Sequence, residues 1–208
     1  MMPSVGLVIL GCGGQARTVA DVALAGGIKE ILFLDENACE GEQMLGFPVK
    51  KDLPGMLPQG WRCIPGSGNN SKREIQIRKA QTNGWPVASI VAPSAIIGTD
   101  AVVSSGVFIG HHASVGPKAE IGIGCIINTG AIISHDCKVG NFTHISVNAT
   151  VAGKAIIGSY CFIGAGSIVI DGVSICSNTV IGAGGVAVRP IQEAGTYVGV
   201  PVTRKVRC

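Results

Sequence analysis

Charged residues make up only 14% of this 208-residue chain, and it has four histidines, so few side chains are available for chemistry. The histidines are His111, His112, His135 and His144, and His135 alone is followed directly by a carboxylate, Asp136. A carboxylate beside an imidazole orients the ring and stabilises the imidazolium, which is what a general base requires. Neighbours in an extended strand point to opposite sides, so the pair needs a bend at 134–137. Gly153 follows eighteen residues after His135, and its backbone N–H is suited to an oxyanion, with room left for a thioester. His111 and His112 have no acidic neighbour in the sequence and read as surface residues.

The eight cysteines stand at 12, 39, 63, 125, 137, 161, 176 and 208, and none forms a CxxC pair. That argues against zinc and against a redox motif, and the cysteines read as reduced packing residues of a cytosolic protein.

The elements that position these groups follow from a repeat. Every sixth residue from Val91 to Ile181 is Val or Ile, sixteen in succession without an insertion. Four places further on in each hexad the residue is small, as at Ala95, Ala101, Cys125, Cys137 and Cys161. β-branched residues at one phase and small ones at another predict a parallel β-helix whose short strands send Val or Ile inward. Glycines such as Gly98, Gly110, Gly140 and Gly164 read as corner residues. With eighteen residues to a coil, positions eighteen apart stack about 4.8 Å from one another. His135 then faces outward beneath Gly153, while Cys137 points inward and is a poor nucleophile. His144, half a coil from His135, belongs to another face. The tail from Ala187, with Pro190 and Pro201, reads as a cap on the last coil.

The first part reads as a βαβ-type unit of α/β character, 1–88, ahead of the repeat domain 89–208. A strand over Val5–Leu10 meets a glycine turn and a helix ending at Gly26-Gly27. A second strand, "ILFLD", ends at Asp35. A third, "WRCIPGSGNN", leads into a helix where Ser71 and Glu74 have capping-box spacing. Gly11-x-Gly13-x-x-Ala16 with Asp35 downstream supplies free N–H groups for phosphate and a carboxylate for a ribose. Only half of a dinucleotide fold is present, so a single nucleotide or nucleotide-linked sugar fits better than NAD.

No basic n-region precedes the first apolar run, and no apolar stretch reaches eighteen residues, so neither a signal peptide nor a membrane span is expected. No basic stripe with interleaved aromatics points to nucleic acid.

The stretches "LGCGGQA", "FLDEN", "GSGNNSKR", "NTGAIISHDCKVGNFTHIS", "ATVAGKAIIG" and "YVGVP" resemble the bacterial hexapeptide-repeat sugar acetyltransferases, across nearly the whole chain. That family includes UDP-4-amino-sugar N-acetyltransferases and sialic acid O-acetyltransferases. The resemblance implies a Rossmann-like half domain followed by a left-handed β-helix, assembled as homotrimers with active sites between subunits. It implies that Gly13, Gly14, Gln15, Asp35, Glu36, Gly68 and Asn69 hold the nucleotide-sugar. It places acetyl-CoA, the co-substrate, against His144 and near Ala165 and Ala183, with His135 as general base and no metal. Gln15 departs from the family, which usually has His there; glutamine keeps hydrogen bonding but not charge. The leading expectation is a cytoplasmic acetyl-CoA-dependent N-acetyltransferase acting on a nucleotide-linked 4-amino sugar for surface glycan synthesis. The same fold acting on a hydroxyl, as in sialic acid O-acetylation, is the first alternative. A non-catalytic nucleotide-sugar-binding protein is the second.

Overall fold

A computed structural model describes residues 6–53 and 55–205. The α/β unit holds five strands: β1 (Gly6–Leu10), β2 (Glu30–Leu34), β3 (Gln43–Met44), β4 (Phe47–Lys50) and β5 (Arg62–Pro65), in the order β3-β4-β2-β1-β5. β1 pairs in parallel with β2 and β5, and its five residues are all buried, as expected of a strand covered on both faces. Helices α1 (Gly14–Ala25) and α2 (Asn70–Thr82) follow β1 and β5. The β3–β4 hairpin carries no strong alternation and was not foreseen from sequence. The reading of Ser71 as helix cap is corrected: Asn69 is the N-cap, its side chain accepting from the Lys72 N–H at 3.0 Å. Glu74 instead accepts from Arg78 one turn on. An amide two places upstream meets the orphan N–H first.

From Ile90 to Ala187 the chain is a parallel β-solenoid of two- and three-residue strands. Three sheets alternate along the chain. The first face contains Phe108–Ile109, Ile126–Ile127, His144–Ile145 and Phe162–Ile163. The second contains Ser114–Val115, Ile132–Ile133 and Thr150–Val151. The third contains Glu120–Ile121, Lys138–Val139 and Ile156–Ile157. Register is eighteen residues from Ile90 to Ala187, as in Ile132↔Thr150 and Ile126↔His144, and shortens to sixteen where Thr179 pairs with Gly195. The inward Val and Ile residues are buried from Ile109 to Ile181, and small Ala and Cys residues close the core between them. Val91 and Ile97 are 40% exposed because no coil lies beneath the first. Beyond Ala187, Gly195–Val198 extends the first face and pairs with Thr203–Arg204.

The corner glycines have a different reason from the one expected. None of Gly98, Gly110, Gly140 and Gly164 has positive φ; that conformation falls two residues later, at Asp100, His112, Phe142 and Gly166. A Cβ at Gly98, Gly140 or Gly164 would stand 2.5–2.6 Å from the backbone of the next coil. These glycines let turns stack at strand spacing, which is a steric requirement.

The α/β unit lies against the first face and its two flanking edges. Arg73 of α2, 1% exposed, donates from Nε to the Gly124 carbonyl at 2.7 Å and from Nη2 to the Phe142 carbonyl at 2.8 Å. Its Nη1 reaches the Ser67 and Gly68 carbonyls at 3.3 and 3.0 Å. Asn70 donates to the Tyr160 and Cys161 carbonyls, each at 3.0 Å. Burial pushes the Arg73 guanidinium down to about 10, still charged at neutral pH.

Candidate active site

Two groups of residues stand out, on opposite sides of the solenoid. The first is a cleft of about 490 Å³ at the C-terminal ends of β1, β2 and β5. Open parallel sheets bind ligands at that end. Gly13, Gly14, Gln15, Asp35, Glu36 and Gly68 all line it; Asn69 does not, being the cap of α2. The N-cap of α1 is Gly13, without a side-chain cap, so the first-turn N–H groups are left for a ligand. A Cβ at Gly13 or Gly14 would meet nothing within 4 Å, so this turn leaves space for a bulky anion.

Asp35 accepts from the Cys12 N–H with Oδ2 and from the Asn37 N–H with Oδ1, both at 3.0 Å. Its carboxylate is thereby fixed at the rim. The Gln15 Nε2 is buried with no hydrogen-bond partner among the described residues. Lys51, Lys72 and Lys79 also line the cleft and were not singled out from sequence. Lys51 follows β4, and Lys72 and Lys79 lie seven residues apart on α2; single lysines in such places carry no local signal.

The second group lies on the edge between the second and third faces. His135 and Asp136 form a turn, and Asp136 has φ +58°, which supplies the bend that the pair needs. His135 Nδ1 and Asp136 Oδ2 are 2.8 Å apart. A carboxylate only accepts, so Nδ1 carries the proton and Nε2 presents its lone pair. The bond from His135, with Lys118 and Lys154 one coil below and above, holds Asp136 below the usual carboxylate range. Both side chains are about half exposed, His135 at 50% and Asp136 at 45%.

Gly153 stands above His135. A Cβ built there would lie 2.6 Å from His135 Nε2 and 3.1 Å from Asp171 Oδ1, so a side chain at this position would push the imidazole out of place. Asp171 comes from the next coil up and was not considered from sequence, although it occupies the same eighteen-residue column. Among the described residues the Gly153 N–H makes no backbone hydrogen bond, while its carbonyl accepts from Gly172 at 2.8 Å. Cys137 is fully buried, its thiol donates to the Ala152 carbonyl at 3.0 Å, and burial pushes it up, consistent with a packing role.

His144 is 7% exposed, placed between the two units. Nδ1 is 3.4 Å from the Gly68 carbonyl, Nε2 is 3.2 Å from Asn128 Nδ2, and Phe162 packs edge-on at 5.0 Å. Burial, with Arg73 nearby, pushes it down to about 4, so it is neutral. It lies within a first-face strand, in register with Ile126 and Phe162, while Ala165 and Ala183 follow first-face strands at the edge towards the second face; none of the three stands with His135. His111 is corrected: Asp21 of α1 lies 3.7 Å from its Nε2, and Ser94 lies 2.9 Å from its Nδ1. The carboxylate comes from ninety residues away, which local sequence could not show. Among the described residues no group of three or more His, Cys, Asp or Glu is arranged to hold a metal ion. None of their helices is long and apolar enough to cross a membrane.

Comparison with known proteins gives these groups a context. Residues 6–90 match the PglD N-terminal domain family. GDP-perosamine N-acetyl transferase from Caulobacter crescentus, solved as a histidine-to-alanine mutant with CoA and GDP-perosamine, is 33% identical with a TM-score of 0.91, covering 97% of each chain. The acetyltransferase domain of PglB from Neisseria gonorrhoeae, solved with acetyl coenzyme A, is 30% identical with a TM-score of 0.90, covering 98% of this chain and 100% of that one. WeeI from Acinetobacter baumannii, at 16% identity and a TM-score of 0.76, shares the fold. By its glycine-turn cleft, its solenoid and these relatives, this chain belongs to the bacterial hexapeptide-repeat family of acetyl-CoA-dependent sugar N-acetyltransferases.

Proposed function

We propose that the protein transfers acetyl from acetyl-CoA to the amine of a nucleotide-linked 4-amino-4,6-dideoxy sugar, UDP-linked in our reading, for surface glycan synthesis. The observation that carries this is the His135–Asp136 pair, 2.8 Å apart, with Nε2 beneath Gly153, whose lack of a side chain leaves the imidazole its place. Asp136 holds the ring in the tautomer that accepts a proton, and the Gly153 N–H takes the oxyanion of the tetrahedral intermediate. Attack by the amine is direct, with no acyl-enzyme. The cleft of the α/β unit takes the nucleotide: the start of α1 and the three lysines suit phosphates, Asp35 and Glu36 suit ribose hydroxyls, and the orphaned Gln15 amide awaits an acceptor.

Cleft and base belong to different subunits in this reading. Gly68 of the cleft meets His144 of the first face, whereas His135 sits on the edge between the other two faces, so the two groups serve one another across copies. Ile96, Val102, Ile132, Ile156 and Ile168 are exposed on the second and third faces, which favours burial against further copies. A homotrimer brings His135 of one copy to the cleft, to the first face bearing His144, and to Ala165 and Ala183 of the next. Dependence on acetyl-CoA and the free thiols support a cytoplasmic setting. The reading is tested by thiol release from acetyl-CoA with UDP- and GDP-linked 4-amino sugars, followed by mass analysis. An alkali-stable product heavier by one acetyl is expected; release only with hydroxyl acceptors, or with none, overturns it.

A further inference from the structure

Asp171 stands above His135 in the same column, across Gly153, and has no part in the mechanism given above. A single point, the Cβ position at Gly153, lies 2.6 Å from Nε2 and 3.1 Å from Asp171 Oδ1. A ring nitrogen and a carboxylate oxygen, both acceptors, therefore flank the open side of Gly153 close to one another, and a donor in front of the glycine can reach both. Among the described residues no hydrogen bond or ion pair engages the Asp171 carboxylate. The other charges along this edge are Asp136, held by His135, with Lys118 and Lys154 one coil below and above it, and Arg189, one coil above Asp171 by register but without an ion pair to it.

We infer that Asp171 is a specificity-determining residue that selects an amine over a hydroxyl as the acetyl acceptor, an inference that rests on the acetyl-transfer reading above. The argument is one of donor count. An amine brings two N–H groups, one for Nε2 and one for Oδ1. A hydroxyl brings a single O–H, so one acceptor, the carboxylate, is left facing an oxygen lone pair. Charge acts in the same direction. As the C–N bond forms, the carbonyl π pair moves to oxygen and the nitrogen becomes cationic beside Asp171. His135 Nε2 then takes the nitrogen's proton, the C–S bond breaks with its pair on sulfur, and that proton passes to the thiolate. A hydroxyl attacks with its proton already leaving and develops less positive charge, so Asp171 stabilises the amine's transition state selectively.

The test compares Asp171→Ala and Asp171→Asn with the wild type, using UDP- and GDP-linked 4-amino-4,6-dideoxy sugars and the matching 4-hydroxy sugars. Amines are followed by kcat/KM and hydroxy sugars as competitive inhibitors, so both are measured even where no ester forms. Asp171→Ala is expected to lower kcat/KM for the amine about tenfold while the hydroxy sugar binds as well or better. Asp171→Asn, whose amide can donate to a hydroxyl oxygen, is expected to tighten the hydroxy sugar further. Parallel loss for amine and hydroxy sugar, an unchanged ratio, or a rise in acetyl-CoA KM alone (the sign of a pantetheine contact instead) overturns the inference while the function reading stands. A wild type that acetylates none of the amines overturns the function reading, and this inference with it.

Discussion

The imidazole of His135 occupies the space that any side chain at Gly153 would need, with Nε2 2.6 Å from the Cβ position. Backbone on one coil thus fixes the ring of the coil below. Gly153→Ala displaces the ring from its partner without touching the buried core. A kcat lower by about two orders of magnitude is expected, with an unchanged circular dichroism spectrum and melting temperature. Kinetics and thermal melts on the same sample check both halves.

His135→Ala removes the proton acceptor and is expected to lower kcat by a factor of about 10² to 10⁴. Asp136→Asn keeps the shape but permits the other tautomer, and is expected to cost about tenfold or more. Sedimentation velocity should show the same assembly for both variants, since neither side chain is in the core. Near-normal turnover in His135→Ala would remove the general base from the mechanism.

Arg73 holds the substrate loop to the solenoid through carbonyls at both ends, Gly68 on one side and Phe142 on the other. Arg73→Met leaves those buried acceptors without donors, with an expected loss of about 3 kcal/mol in urea unfolding. Arg73→Lys cannot restore a planar fork and should recover only part of it. Because Gly68 lines the cleft, the nucleotide-sugar KM should rise in both variants while that for acetyl-CoA changes less.

Acid should loosen the junction between the units. His144 takes its proton at about 4 when folded, against an ordinary value of 6.5. The unfolded chain therefore binds the extra proton first as pH falls, so the contribution is full above about 6.5 and is lost towards 4. The loss is about 3 kcal/mol for this group. Urea midpoints at several pH values should show it, and His144→Gln should flatten that limb.

The cleft lysines are expected to act through phosphate. Lys72→Ala should raise the nucleotide-sugar KM about tenfold at low salt and less at high salt, because screening weakens the lost contact in both proteins. A salt-independent effect would argue for a packing role.

The solenoid was legible because its rule is local: Val or Ile at every sixth place from Val91 to Ile181 needs no knowledge of distant contacts. The glycine turn and Asp35 were legible for the same reason. What escaped depends on pairs brought together by docking. Arg73 reads as one more cation on a polar helix, and only the solenoid edge beside it reveals a buried donor. Asp21 meets His111 across the unit boundary. Asp171 was within reach of register arithmetic, two coils above His135, but a lone carboxylate in a turn carries no signal until the glycine between them is seen to have no side-chain space.

Turn stacking has a consequence for how such a chain can change over evolution. Each strand in the solenoid is paired above and below at a fixed offset, so inserting or deleting one residue would throw every later inward Val or Ile onto the surface. Length there is quantised: the prism can gain or lose whole coils, while the loops of the α/β unit can drift by single residues. A lineage adapting to a new sugar would accordingly leave its record as substitutions along the edge columns, and as gaps almost entirely in the first ninety positions.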